Sequence, residues 1–302
     1  MEFESIEDTR QKLEAAGYIA SREIATVVFL AASANKPILV EGPAGSGKTE
    51  LARALSACMN RERIRLQCYE GLDEAKALYE WEYAKQLLYT QMIREKINDL
   101  ISGADSIADA VEHIARQEDA FFSERFLLAR PLLQAISADQ PTVLLIDEID
   151  KADPEFEAFL LELLSEFQVS IPELGIRKAR HIPMVILTSN NYRDMSDALK
   201  RRCLHLYIDY PDPELEARIV RLKLPGIEEG LALKIIEVIN RIRSLDLKKR
   251  PCISETIDWA HALRVLQINE ITPEALSDTL NVICKYKSDA QAVRNATDRI
   301  LN

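Results

Sequence analysis

Glu41-Gly42-Pro43-Ala44-Gly45-Ser46-Gly47-Lys48-Thr49 decides the reading of this chain. The stretch fits G-x-x-x-x-G-K-[ST], with Gly42, Gly47, Lys48 and Thr49 at the fixed places. Only nine glycines occur in 302 residues, and three of them stand at 42, 45 and 47. Ahead of the loop, Pro37-Ile38-Leu39-Val40 is a short apolar run suited to a buried parallel strand. Behind it, apolar Leu51, Ala54, Leu55 and Cys58 recur at helical spacing. Strand, glycine-rich loop and helix form the context the pattern requires. A loop running through Pro43, Ala44, Gly45 and Ser46 turns backbone N–H groups toward phosphate oxygens, and the helix N-terminus adds partial positive charge. Lys48 is then the cation for the β and γ phosphates, and the Thr49 hydroxyl a ligand for Mg²⁺.

A second segment supplies the acids such a site needs. Pro141-Thr142-Val143-Leu144-Leu145-Ile146-Asp147-Glu148 reads as a buried parallel strand with carboxylates at its C-terminal edge. Ligands of open α/β sheets sit at that edge. Asp147 is placed to hold the Mg²⁺ shell, and Glu148 to orient and polarise an attacking water. A further buried strand, 183–188, ends in Ser189-Asn190. If it neighbours the Asp147 strand, the Asn190 amide reaches the γ-phosphate or the water.

Composition narrows the class. The net charge is −11 with 29% charged residues, which weighs against a dominant nucleic-acid surface. The acidic start Met1-Glu2-Phe3-Glu4 lacks the basic region of a secretory signal, and no run of 18 apolar residues predicts a membrane span. Five scattered cysteines without a C-x-x-C pair suit reduced thiols in the cytoplasm. The four histidines form no zinc-ligand spacing.

Along the chain, helices are expected over 5–16 and 21–34, with Gly17-Tyr18-Ile19 between them. Tyr18 either contacts a purine base or serves helix packing. A second strand is expected at 64–68 and a long helix over 73–99, rich in helix formers. Helical patterns resume at 107–117 and 124–137, with a kink or boundary at Pro131. An amphipathic helix spans 154–167, and 168–182 reads as a hairpin with a basic second arm (Arg177, Lys178, Arg180). A short helix over 197–203 carries Arg201 and Arg202 ahead of a strand at 204–208. Past Tyr210-Pro211-Asp212-Pro213 every periodic segment is helical: 214–224, 231–245, 254–266, 273–286 and 290–301.

In this order the motifs resemble an AAA+ ATPase, over nearly the whole chain, and more narrowly its MoxR branch. The phrases Leu66-Gln67-Cys68-Tyr69-Glu70-Gly71, 196–203 and Ser254-Glu255-Thr256-Ile257-Asp258-Trp259-Ala260 resemble CoxD-like members, which are associated with maturing the molybdenum–copper site of carbon monoxide dehydrogenase. The resemblance implies an α/β P-loop NTPase core, a parallel sheet flanked by helices, over 1–211. An all-helical lid follows over 212–302. It makes 42–49 the Walker A loop, 143–148 Walker B and Asn190 sensor 1. Arg202 best matches the arginine finger acting on a neighbouring subunit, with Arg201 next. Residues 168–182 match the hairpin before sensor 1, and 84–130 a helical insertion facing substrate or partner. ATP and Mg²⁺, a homo-oligomeric ring (a hexamer), a von Willebrand factor A partner and a metalloenzyme client are implied, for a cytoplasmic ATP-hydrolysing chaperone. The alternative is a nucleic-acid motor or loader. One departure stands out: the family's Ser-Pro-Arg at the lid helix is Ser254-Glu255-Thr256 here, so either Arg250 or Arg264 replaces the sensor 2 arginine or the lid senses ATP weakly.

Overall fold

A computed structural model describes residues 2–92, 126–172 and 174–301. At its centre, β1 (Ile38–Glu41), β2 (Glu62–Gln67), β5 (Thr142–Asp147), β8 (Met184–Ser189) and β9 (Leu204–Tyr207) form one parallel sheet in the order β2-β5-β8-β1-β9. β5 is buried along its whole length, as a strand covered on both faces must be. The period of two divides its side chains between two cores. Leu144 and Ile146 join Val185 and Leu187 on one face, beneath α6 (Pro131–Ser137) and α7 (Pro154–Glu166). Val143 and Leu145 join Ile38, Val40 and Ile186 on the other, beneath α1 (Ile6–Ala15), α2 (Arg22–Ala34) and α3 (Lys48–Cys58).

At the sheet edge, β2 shows the same alternation with one face left open. Ile64 and Leu66 enter the first core, while Arg63 and Arg65 on the opposite face remain exposed. Because β8 lies between β1 and β5, the residues that follow it stand between the glycine-rich loop and the acid pair.

The C-terminal region is helical, from α9 (Pro213–Lys223) through α10 (Glu229–Arg243), α11 (Ile253–Val265), α12 (Pro273–Ile283), α13 (Lys287–Asn295) and α14 (Thr297–Leu301). It gathers its own apolar cluster around fully buried Trp259, whose indole N–H donates to Thr279 Oγ1 at 2.7 Å. Within that cluster Glu216 is wholly buried and accepts both ends of the Arg243 guanidinium at 2.7 and 2.8 Å, and the Thr256 hydroxyl at 2.8 Å.

Several expectations need correction. The long helix over 73–99 is instead α4 (Glu74–Ala77), β3 (Tyr79–Trp81) and α5 (Tyr83–Met92), because β3 pairs antiparallel with β4 (Leu127–Ala129). The 84–130 segment is therefore not helical at its end, and its residues 93–125, including the helix expected at 107–117, lie outside the described residues. At Pro131 the structure takes the boundary of the two alternatives: the residue starts α6, at N1, where its missing N–H costs nothing. The segment 290–301 is split at Ala296. The hairpin is present as β6 (Gln168–Ile171) and β7 (Gly175–Lys178), so Arg180 lies beyond its second arm. Among the described residues, no helix is long and apolar enough to cross a membrane, and no cluster of acids, histidines and cysteines is placed to hold a metal. All five cysteines are free.

Candidate active site

The glycine-rich loop leaves β1 and enters α3 through close backbone contacts. A Cβ at Gly42 would sit 2.0 Å from the Ile208 carbonyl oxygen, and one at Gly45 would sit 2.1 Å from Cys252 Sγ. Both positions also hold φ values, +150° and +79°, that side chains rarely adopt. Lys48 is 6% exposed and donates to the Gly42 and Pro43 carbonyls at 2.8 and 2.7 Å. Burial lowers its pKa, opposed by the nearby Asp150, Asp147 and Glu148 carboxylates. The buried Ser46 hydroxyl has no hydrogen-bond partner among the described residues.

Parallel pairing brings the acids to the loop. Thr49 Oγ1 donates to Asp147 Oδ1 at 3.1 Å, across 98 residues of sequence. The Thr188 hydroxyl donates to the same oxygen and accepts the Glu148 backbone N–H at 2.9 Å. Glu148 sits at φ 57°, a left-handed conformation that costs a non-glycine residue on the order of 1–3 kcal/mol. This turn directs its carboxylate to Asn190 Nδ2 at 3.3 Å, Gln67 Nε2 at 2.8 Å and Lys151 Nζ at 2.6 Å. Behind them, buried Asp150 accepts the backbone N–H groups of Asn190 and Tyr192 at 2.9 and 3.0 Å, holding the loop after β8.

Two adjoining cavities meet here, sharing Gly47, Glu50 and Ser254. The polar one, about 320 Å³, is lined by Ala44, Gly45, Lys48 and Thr49 and by Asp147, Glu148, Thr188 and Asn190. The other, about 390 Å³ and mostly apolar, is walled by Tyr18, Ile19 and Ile24, by Ile208 and Pro211, and by Ile257 of α11. An apolar slot beside a cationic, hydroxyl-bearing slot fits a flat base joined to a phosphate chain. The paired Thr49 hydroxyl and Asp147 carboxylate are the oxygen donors a hard divalent cation takes. Tyr18 is buried, and it both packs into the core and lines the apolar cavity.

Of the predicted residues, Ala44, Gly45, Gly47, Lys48, Thr49, Asp147, Glu148 and Asn190 line the polar cavity and Ser46 the apolar one, with Gly42 and Pro43 bound to Lys48, whereas Arg201 and Arg202 line neither cavity. Arg202 is tied to Ser165 Oγ and, at 2.9 Å, to the Ala198 carbonyl. Arg201 is exposed and makes no side-chain hydrogen bond among the described residues. Of the residues opening α11, Ser254 faces both cavities, Glu255 caps the helix through the Cys252 N–H at 3.0 Å, and Thr256 turns into the helical core. Neither Arg250 nor Arg264 reaches the cavities; Arg264 points to the Pro225 carbonyl at 3.5 Å. A tie between the C-terminal helices and the helix after the loop comes instead from Lys223 of α9, which pairs with Glu50 in the first turn of α3. The sequence reading missed Arg65, Gln67, Lys151 and Thr188, all in contact with the acid pair. The signal available was the i, i+2 face of β2 running toward Asp147.

A family profile described as an AAA domain, dynein-related subfamily, matches residues 37–203. The chain belongs to that AAA family. Its AAA domain spans β1 to the residue before β9, and so takes in the loop, the acid pair and Asn190. Uncharacterized proteins of Staphylococcus haemolyticus and Staphylococcus saprophyticus are 26% and 25% identical to it over 277 residues, covering 87% of this chain and 90% of each relative. Among solved structures, the RuvB Holliday junction branch migration motor of Thermotoga maritima aligns at 16% identity and TM-score 0.46, over 91% of this chain and 68% of that one. A mutant of the same protein gives 0.48, over 92% and 70%.

Proposed function

We propose that this AAA protein binds ATP with Mg²⁺ and hydrolyses it, as a MoxR-type machine that remodels a protein client. The observation that carries the reading is the convergence of Lys48, Thr49, Asp147, Glu148 and Asn190 on one cavity beside an apolar slot. Lys48 and the loop N–H groups bind the phosphates, Thr49 and Asp147 hold Mg²⁺, and the apolar slot takes the base. Bound Mg²⁺ supplies charge neutralisation of the phosphates. Glu148 accepts the proton of the attacking water, and Asn190 orients that water or the γ-phosphate.

The finger acts from a neighbouring subunit in a ring, for which a hexamer is proposed. The exposed side chain of Arg201, which makes no hydrogen bond among the described residues, favours it over Arg202, whose guanidinium is already engaged within its own subunit. Substituting an arginine finger lowers turnover about 10³–10⁵-fold in related chemistry. Arg201→Ala is therefore expected to retain ATP binding and lose hydrolysis, with a much smaller loss in Arg202→Ala, as measured by phosphate release at saturating ATP. The reverse order would return the role to Arg202.

The segments 66–71, 196–203 and 254–260 support the finer reading. A von Willebrand factor A protein is the proposed partner, and a molybdenum–copper enzyme of the carbon monoxide dehydrogenase type the client. Metal analysis of that enzyme from a deletion strain tests it. The expected result is loss of copper or molybdenum occupancy, and full occupancy would exclude this client.

A further inference from the structure

Asp147 does not wait bare for a metal. Its side chain is 4% exposed, and both of its oxygens are filled. Oδ1 accepts the Thr49 and Thr188 hydroxyls. Oδ2 accepts two donors from Arg65, Nε at 3.1 Å and Nη2 at 2.6 Å. Arg65 stands on the edge strand β2 with its side chain 49% exposed, and its Nη2 also meets Gln67 Oε1. Gln67 in turn holds Glu148. A cation thus already lies against the carboxylate that the proposed ATP–Mg²⁺ reading gives to the metal.

We propose that Arg65 is a built-in counter-cation for Asp147, exchanged for the divalent ion when the nucleotide site is loaded. The inference rests on the function proposed above and adds a residue that neither the glycine-rich pattern nor the acid pair names. Asp147 and Glu148 stand on the wall of the cleft at the end of β5, and buried Asp150 lies behind them. Left uncompensated at partial burial, they would repel one another and lose hydration. Lys48, Lys151 and Arg65 supply the opposing charges. When a divalent ion occupies the Thr49–Asp147 position, guanidinium and metal become like charges competing for one carboxylate. Arg65 is the partner able to leave, since its strand is at the sheet edge and its side chain is half in water. Arg63, two residues earlier on the same face, lines the polar cavity, so β2 keeps a second cation beside the site when Arg65 leaves.

Exchange makes a testable difference in metal affinity. Arg65→Gln removes the competitor while keeping hydrogen-bonding capacity, and at a half-exposed edge position it leaves both cores untouched. The protein saturated with mant-ADP is mixed with increasing Mn²⁺, and free Mn²⁺ is counted by electron paramagnetic resonance. R65Q is expected to bind Mn²⁺ about fivefold more tightly than the native chain, the equivalent of one partly exposed ion pair. Arg65→Lys, which keeps the charge, is expected to return toward the native value. Equal or weaker Mn²⁺ affinity in R65Q, with mant-ADP still bound, overturns the counter-cation assignment alone. Failure of the native chain to bind mant-ADP overturns the nucleotide reading and this proposal with it.

Discussion

Glu148→Gln is expected to lower ATP turnover about 10²–10⁴-fold while ATP binding stays within a few-fold of the native chain. The substitution keeps the shape of the side chain and its left-handed backbone position, so the turn after β5 is preserved. It removes the only group at that position able to take a proton from water. The surrounding contacts sharpen the expectation. Asn190 Nδ2, Gln67 Nε2 and Lys151 Nζ all donate to the Glu148 carboxylate, which keeps it aimed into the polar cavity. A glutamine can accept at only one atom, so part of this arrangement is lost as well. Steady-state phosphate release and fluorescent ATP binding, measured on the same preparation, separate the two effects. Turnover within threefold of native would remove Glu148 from the proton-transfer role.

The second large effect concerns stability. Glu216→Ala is expected to destabilise the helical region by about 3–5 kcal/mol, the usual result of breaking one side of a buried ion pair. Glu216 is 0% exposed, and its carboxylate is the acceptor for the Arg243 guanidinium and the Thr256 hydroxyl. Alanine leaves Arg243 with its charge only partly in water, since its side chain is 18% exposed, and opens a void beside Ala217 and Val220. In a Trp81→Phe background, Trp259 fluorescence reports urea unfolding of this region alone, because Trp259 lies at its centre. The pair Glu216→Leu with Arg243→Met should recover most of the loss, since replacing a whole buried pair by apolar groups is often neutral. A loss below 1 kcal/mol in Glu216→Ala would show that the pair contributes little.

Much of this was legible in the sequence, for a definable reason. In a parallel sheet the strand ends that carry function lie at one edge. A glycine-rich loop after β1, two acids after β5 and an amide after β8 therefore had to come close once strand order was set. What stayed hidden depended on pairings far apart in sequence. The 73–99 stretch is composed of good helix formers, yet Tyr79-Glu80-Trp81 pairs with Leu127-Leu128-Ala129, about fifty residues on, and tertiary contact overrides local preference there. The break at Ala296 has neither glycine nor proline to announce it. Arg65 and Gln67 look like the solvated face of an edge strand, and only the register of β2 on β5 places Gln67 opposite Asp147. The order of Arg201 and Arg202 could not be read from their positions, because the contact of Arg202 with Ser165 depends on how α7 packs against the short helix α8 (Asp197–Lys200).

The most direct test of the account is the rate of Mg²⁺-dependent ATP hydrolysis per subunit, followed across protein concentration with sedimentation velocity in ATP alongside. Hydrolysis is expected whose specific rate climbs as a ring assembles, the proposed Arg201 finger of a neighbour completing each site. No hydrolysis at any concentration, or a constant rate from a monomer, would contradict it.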